Sequence, residues 1–253
     1  MSSMLRAAAT VLPRHRPSTL PATTLTVAAR VDREHLAAYD RVCGFPLSDT
    51  LPPTYPHVLA FPAAMRLMTA PAFPFPVVGL VHVAQRITVH RPLTGEELDL
   101  AVRAENLRPH QRGQQFDVVA STSSWTGVST YLRVSGRGSS SSNKVELEST
   151  ASWPIPLRVG TDYAAVSGDH NPIHTSRLGA RMFGFKRPIA HGMWTMARCL
   201  AALGARLPAA YTVDVAFKKP LFLPARVSFS VSEADGRWEF RAGPHLAGTV
   251  TPF

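Results

Sequence analysis

An α+β fold of two similar units, each a long helix wrapped by an antiparallel sheet, is predicted by three features of this 253-residue sequence. The two halves echo each other at a nearly constant offset. Each half places an apolar helical stretch before a series of strand-like runs. Between them lies Gly136–Asn143, GRGSSSSN, a stretch too polar and flexible to belong to a core. The expected boundaries are an N-terminal arm over 1–23, a first unit over 24–137, a Gly/Ser linker over 138–148 and a second unit over 149–253.

The repeat is visible element by element. Residues 39–44 read YDRVCG and residues 163–168 read YAAVSG, 124 positions later. In each, a Tyr and a Val three residues on share one face of a short helix that Gly44 or Gly168 ends. Pro56-His57-Val58-Leu59 then matches Ala190-His191-Gly192-Met193, and a long helix follows each. Its apolar positions are Phe61, Ala64, Met65 and Met68 in the first half. In the second they are Met193, Met196, Ala197, Leu200 and Ala201, with Gly204 as the stop. His82-Val83-Ala84 matches Asp214-Val215-Ala216, 132 positions later, and a strand is expected after each, over Arg86–Pro92 and Lys218–Pro224. Further strands are expected over Leu98–Ala104, Phe116–Ser123 and Ser129–Val134, and over Arg226–Glu233, Arg237–Arg241 and His245–Thr251.

Composition narrows the function. With 45% hydrophobic and 17% charged residues the chain is of folded, globular type, and no apolar run reaches membrane-spanning length. Cys43 and Cys199 are too few for a disulfide framework, and neither has a neighbour at metal-ligand spacing, which favours a reducing compartment. Both sit in apolar helical contexts and read as core. Arg6, Arg14, Arg16 and Arg30 precede the first acid, faintly like an organelle presequence, but Pro13, Pro17 and Pro21 break a long amphipathic helix. The arm is read as extended and the location as cytoplasmic. The net charge of +10 is dispersed, without the blocks or motifs of a nucleic-acid binder, and fits a basic surface or an anionic ligand.

The halves differ most in one loop. In Tyr163–His174 (YAAVSGDHNPIH), Asp169 aligns with Phe45 of the first half and His174 with Thr50. Both ionisable groups exist in one copy only, which points to chemistry there and not to loop architecture. Asn171-Pro172 is a turn signal that can bring residues 169 and 174 together. A carboxylate and an imidazole sharing one water form an acid–base pair able to add water to a carbon–carbon double bond. The charge that develops on a carbonyl oxygen needs a donor, and the amide of Gly192, opening the long helix without a side chain in the way, supplies one. Other readings stay open for single residues. Asp169 also reads as a helix or loop cap, and His174 as a structural histidine. Asp169, His170, His174 and His191 also read as a metal set, although no supporting pattern of partners accompanies them. Ser167 lacks the Gly-x-Ser-x-Gly context of a hydrolase nucleophile.

Two stretches, SGDHNPIH and the Gly179–Met193 run ending in Ala-His-Gly-Met, resemble the MaoC-like dehydratases, which include (R)-specific enoyl-CoA hydratases and bacterial 3-hydroxyacyl-thioester dehydratases. The likeness extends over nearly the whole chain, more diffusely before residue 150, and is to the double-length members. It implies a double hotdog fold with a degenerate, non-catalytic first unit whose stripped loop leaves room for a longer acyl tail. Asp169 and His174 would be the dyad, Gly192 the oxyanion donor and Asn171 the buttress of the loop. His191 and Met193 beside Gly192, with Lys218 and Lys219, would contact substrate. Lys186 and Arg187 are further candidates for its phosphates. The implied substrate is an acyl-CoA or acyl-carrier-protein thioester in fatty-acid metabolism. No metal, flavin or nicotinamide is required, and neither nucleic acid nor membrane is a partner. Two fused units can satisfy hotdog pairing internally, and such units also dimerise, so a homodimer stays open. One departure is Leu200, where some single-hotdog members carry a serine near the site. Two rivals stand beside the hydro-lyase: a hotdog thioesterase, directing water at the carbonyl carbon, and a non-catalytic acyl-binding subunit.

Overall fold

The computed structural model describes residues 16–136 and 148–253. Most of the expected arm and nearly all of the expected linker lie outside the described residues. The first half runs β1 (Leu25–Arg30), α1 (Arg33–Cys43), α2 (Tyr55–Met68), β2 (Leu80–Val89), β3 (Glu97–His110), β4 (Gly113–Ser121) and β5 (Trp125–Val134). The second runs β6 (Ala151–Ile155), α3 (Val159–Ser167), α4 (Pro172–Thr175), α5 (Arg177–Met182), α6 (Gly192–Leu203), β7 (Tyr211–Phe217), β8 (Ala225–Ala234), β9 (Arg237–Ala242) and β10 (Leu246–Pro252).

Local chemistry sets the helix ends. Asp32 caps α1 by accepting from the amides of Glu34 and His35 at 2.9 and 3.2 Å. Gly44 and Gly168 close α1 and α3 at φ 82° and 73°, a conformation that favours residues without a Cβ. Helix α6 is apolar on nearly every side because it is enclosed. Met196, Ala197, Cys199 and Leu200 have no solvent exposure, and burying each large side chain contributes about 1.5–3 kcal/mol.

All ten strands form one antiparallel sheet in the order β1-β3-β4-β5-β2-β7-β10-β9-β8-β6. Each half contributes five strands in the same internal order, so the α+β double hotdog expected from sequence is present. The halves join where β2 pairs with β7. Ala84 lies opposite Ala216 there, the residue aligned with it in the repeat. Equivalent residues also meet in the core, where the rings of Tyr39 and Tyr163 lie 6.2 Å apart. Trp194 Nε1 on α6 donates to the Val42 carbonyl of α1 at 2.9 Å, a direct bond between halves.

The strand expected at Lys218–Pro224 is not one. The strand, β7, comes just before it, and residues 218–224 form an irregular segment with a single bridge from Phe222 to Ile189. Pro220 and Pro224 lack the amide that a ladder needs. The expected Arg86–Pro92 strand likewise lies earlier, as β2. Strands β1 and β6 went unforeseen. They are the outermost strands, and β6 tolerates Pro154 because it pairs on one side only.

The inter-half bond gives a test. Trp194→Phe keeps most of the ring but strands the Val42 carbonyl, and we expect a loss of about 1–3 kcal/mol in urea unfolding. A change below about 0.5 kcal/mol would show that this bond does not tie the halves.

Candidate active site

The loop between α3 and α6 converges on Asp169 and His174. Gly168 ends α3 and releases Asp169 into irregular backbone, where its amide donates to Ser167 Oγ at 3.2 Å. Asp169 Oδ1 accepts from the Asn171 amide at 3.2 Å. Asn171 caps α4, its Oδ1 accepting from the Ile173 amide at 3.3 Å. Helix α4 carries His174, whose Nδ1 donates to the Ile189 carbonyl at 2.8 Å. The carbonyl can only accept, so the neutral ring keeps its lone pair on Nε2. Gly179 holds α5 close to this turn, because a Cβ there would meet Pro172 Cβ at 2.3 Å.

His191 joins the loop to α6. It is 3% exposed, its Nε2 donates to the Asp169 carbonyl at 3.0 Å, and its ring stacks on His174 with centroids 3.7 Å apart and planes 27° apart. His191 Nδ1 is buried without a hydrogen-bond partner among the described residues. Next in the chain, Gly192 opens α6. No side chain caps this terminus, so its first-turn amides are available. Gly192 is partly exposed among buried neighbours, and the Phe217 ring lies 3.0 Å from where a Cβ would be. Met193 is buried in the core at 5% exposure, and Leu200 is fully buried there. Lys218 and Lys219 are exposed just beyond Phe217, and Lys186 and Arg187 are exposed before the Pro188–Ala190 segment. The Arg187 guanidinium lies 5.9 Å over the Phe222 ring.

One ligand-capable atom each from Asp169, His174 and His191 lies within 4.8 Å of the others. A single water hydrogen-bonded at about 2.8 Å to two such groups spans that gap. A zinc ion would need lone pairs converging on a point about 2.0–2.1 Å from both imidazoles. Rings stacked nearly face to face keep their lone pairs in near-parallel planes, so the arrangement suits a water better than a metal.

Sequence reasoning missed the first half's contribution. The Asp169 carboxylate acts electrostatically on His57, His82 and Tyr131. His82 stacks on Tyr131 at 4.9 Å and meets the edge of Phe217 at 4.9 Å, the same ring that covers Gly192. The repeat had aligned His57 with His191 and His82 with Asp214, a signal that marked the positions without a role. A polar groove of about 660 Å³ is distinct from this site. It crosses the β2–β7 seam on the face away from the helices, beside the Arg86–Asp214 ion pair.

A model of the MaoC like domain matches residues 149–247. The chain is 40% identical to 3-hydroxyacyl-thioester dehydratase X of Mycobacterium tuberculosis over 99% of its own length and 97% of that protein. The chain belongs to the MaoC-like dehydratases. A second relative, the (R)-specific enoyl-CoA hydratase of Aeromonas caviae, is 34% identical over 27% of the chain and 54% of that protein. Among solved structures, the crystal structure of HtdX from Mycobacterium tuberculosis superposes with a TM-score of 0.81 at 38% identity, covering 91% of this chain and all of that one. No helix among the described residues is long and apolar enough to cross a membrane.

Burial keeps the histidines of this MaoC-like site neutral. It lowers His174 below its ordinary value of 6.5, with Asp169 and the Ile189 carbonyl opposing. Burial also takes His191 and His82 to about 3 and His57 to about 4. Unfolded, each takes up its proton near pH 6.5; folded, these last three stay neutral until about pH 3–4. The unfolded chain binds more protons between those values, so this stability is complete above pH 6.5 and is lost as pH falls. His82→Phe removes one such proton. The fall of unfolding free energy between pH 6.5 and 4 should become shallower by one proton, and an unchanged slope would contradict a buried neutral His82.

Proposed function

We propose that this chain is a hydro-lyase that interconverts a trans-2-enoyl thioester and a (3R)-3-hydroxyacyl thioester, with Asp169 and His174 as the acid–base pair. One observation carries the reading: a carboxylate and an imidazole with a free Nε2 lie within 4.8 Å of each other, beside the uncapped start of α6. The relatives named for thioester dehydration and enoyl-CoA hydration support it, and the (3R) outcome follows the (R)-specificity in the name of the second.

In the hydration direction the pair holds a water and takes one of its protons. The hydroxyl oxygen bonds to the β-carbon, and the electron pair of the double bond moves toward the thioester oxygen. The Gly192 amide and the positive end of α6 stabilise that oxygen. The α-carbon then takes a proton from the pair, so the elements of one water are added. Dehydration is the reverse, and each of the two groups serves in both senses as a coupled pair. Asn171 holds the loop, its amide donating to Asp169 Oδ1 and its own Oδ1 accepting from the Ile173 amide. Lys186, Arg187 and Lys219 offer charge to phosphates of the thioester carrier, whereas Lys218 lines the separate groove across the β2–β7 seam. In this reading residues 149–253 carry the chemistry, residues 24–137 close the site, and the enzyme works in the cytoplasm on fatty acyl groups.

The test is the conjugated-thioester absorbance of a medium-chain trans-2-enoyl-CoA, with free thiol measured alongside. Wild type should bleach the band without releasing thiol. Asp169→Asn and His174→Gln should each lower kcat by about 10²–10⁴-fold. Thiol release at the rate of bleaching would instead make the protein a thioesterase. Hydration also requires neutral His174, whose affinity for a proton is lowered by burial. The acid limb of kcat/KM should therefore lie below pH 6.5, and a limb at or above that value would contradict His174 as the group that titrates.

A further inference from the structure

Between α4 and the Pro188–Ala190 segment the chain makes an excursion whose base is the dyad itself. The Ile189 amide donates to the Ile173 carbonyl at 3.0 Å, and His174 Nδ1 donates to the Ile189 carbonyl. The excursion comprises α5 and the turn after it, RLGARMFGFKR over 177–187, with four cations and no acid. Arg177, Arg181, Lys186 and Arg187 are all exposed, and none is ion-paired among the described residues. Interleaved with them, Leu178, Met182 and Phe183 are 71, 77 and 45% exposed. These make up three of the seven exposed large apolar side chains among the described residues, within six positions of one another. Gly179 and Ala180 point the other way and are buried, so the helix is fixed to the body by one face and leaves the cationic and apolar side chains outward.

We propose that this face docks an acidic acyl carrier protein, which delivers the acyl thioester to the site on its phosphopantetheine arm. The inference rests on the hydro-lyase reading and names the partner that presents its substrate. Unneutralised cations at the base of the dyad fit an anionic partner. Coenzyme A is anionic too, but it has no apolar surface to cover Leu178, Met182 and Phe183, and a protein surface does. A helix of six residues offers too little apolar area to hold the protein on a lipid bilayer by itself.

The experiment compares two substrates that share one medium-chain trans-2-enoyl group, carried either on coenzyme A or on a recombinant bacterial acyl carrier protein. Wild type is measured beside Arg181→Glu/Met182→Glu and Arg177→Glu/Leu178→Glu, neither of which alters a residue assigned to the chemistry. On the carrier-protein substrate, kcat/KM should fall at least about tenfold in each variant. On the coenzyme A substrate it should stay within about threefold, and raised salt should slow the carrier-protein reaction selectively. Equal losses on both substrates, or no loss on either, would overturn the proposal. Sedimentation in which wild type is a dimer and the variants are monomers would assign the face to a second copy of the chain. Binding of wild type, but not of the variants, to phosphatidylglycerol vesicles with unchanged carrier-protein kinetics would assign it to a membrane. A wild type that hydrates the coenzyme A thioester but not the carrier-protein one refutes the docking alone. A wild type that hydrates neither refutes the hydro-lyase reading.

Discussion

The hydrogen bond from His174 Nδ1 to the Ile189 carbonyl is the contact on which the site depends. It fixes the ring, leaves Nε2 as the acceptor, and closes the base of the 177–187 excursion. The segment that provides this carbonyl is held from both sides. Ile189 N donates to Ile173, Ala190 N to Leu221, and Leu223 N returns to Pro188. Three residues thus tie the dyad loop, the start of α6 and the chain leaving β7 into one unit. His191 completes it by bonding the Asp169 carbonyl and lying flat on His174. None of these bonds engages His174 Nε2 or Asp169 Oδ2, while Asp169 Oδ1 accepts from the Asn171 amide.

The first half contributes a surrounding. His57, His82 and Tyr131 lie around the Asp169 carboxylate, His82 meets the edge of the second half's Phe217 ring that covers Gly192, and burial holds the two histidines neutral. A neutral, poorly hydrated wall strengthens the interaction of a helix terminus with a developing oxyanion. It also disfavours a second charge near Asp169. The absence of the Asp–His pair from the first copy fits the proposed division, in which one half presents the reacting groups and the other limits the water around them.

Much of this was legible in the sequence, because the repeat constrains both copies. Tyr39 and Tyr163 were paired by their motifs and pack against each other, and Gly44, Gly168 and Gly204 end helices where their spacing placed them. The loop legible as Asp169–His174 brings those two residues together. Strand boundaries near Lys218 were read too late because a valine-rich strand and the basic, proline-punctuated segment after it look continuous as a pattern. Only pairing shows where the ladder stops. The roles of His57 and His82 were not legible, since their proximity to Asp169 arises from tertiary packing of α2 and β2 of the first half against a loop of the second, between residues far apart in sequence. The open ends of the excursion at Leu178 and Met182 were also invisible, because their apolar character alone reads as core.

The central claim is that water is directed to the β-carbon of a thioester and not to its carbonyl. Isotope placement tests it most directly. The enzyme is run with trans-2-enoyl-CoA in H₂¹⁸O, and separately in D₂O, and the products are read by mass spectrometry. The account predicts intact thioester with ¹⁸O at the 3-hydroxyl and one solvent deuterium on the α-carbon. A product with ¹⁸O in a free carboxylate, and no label at the β- or α-carbon, would contradict it.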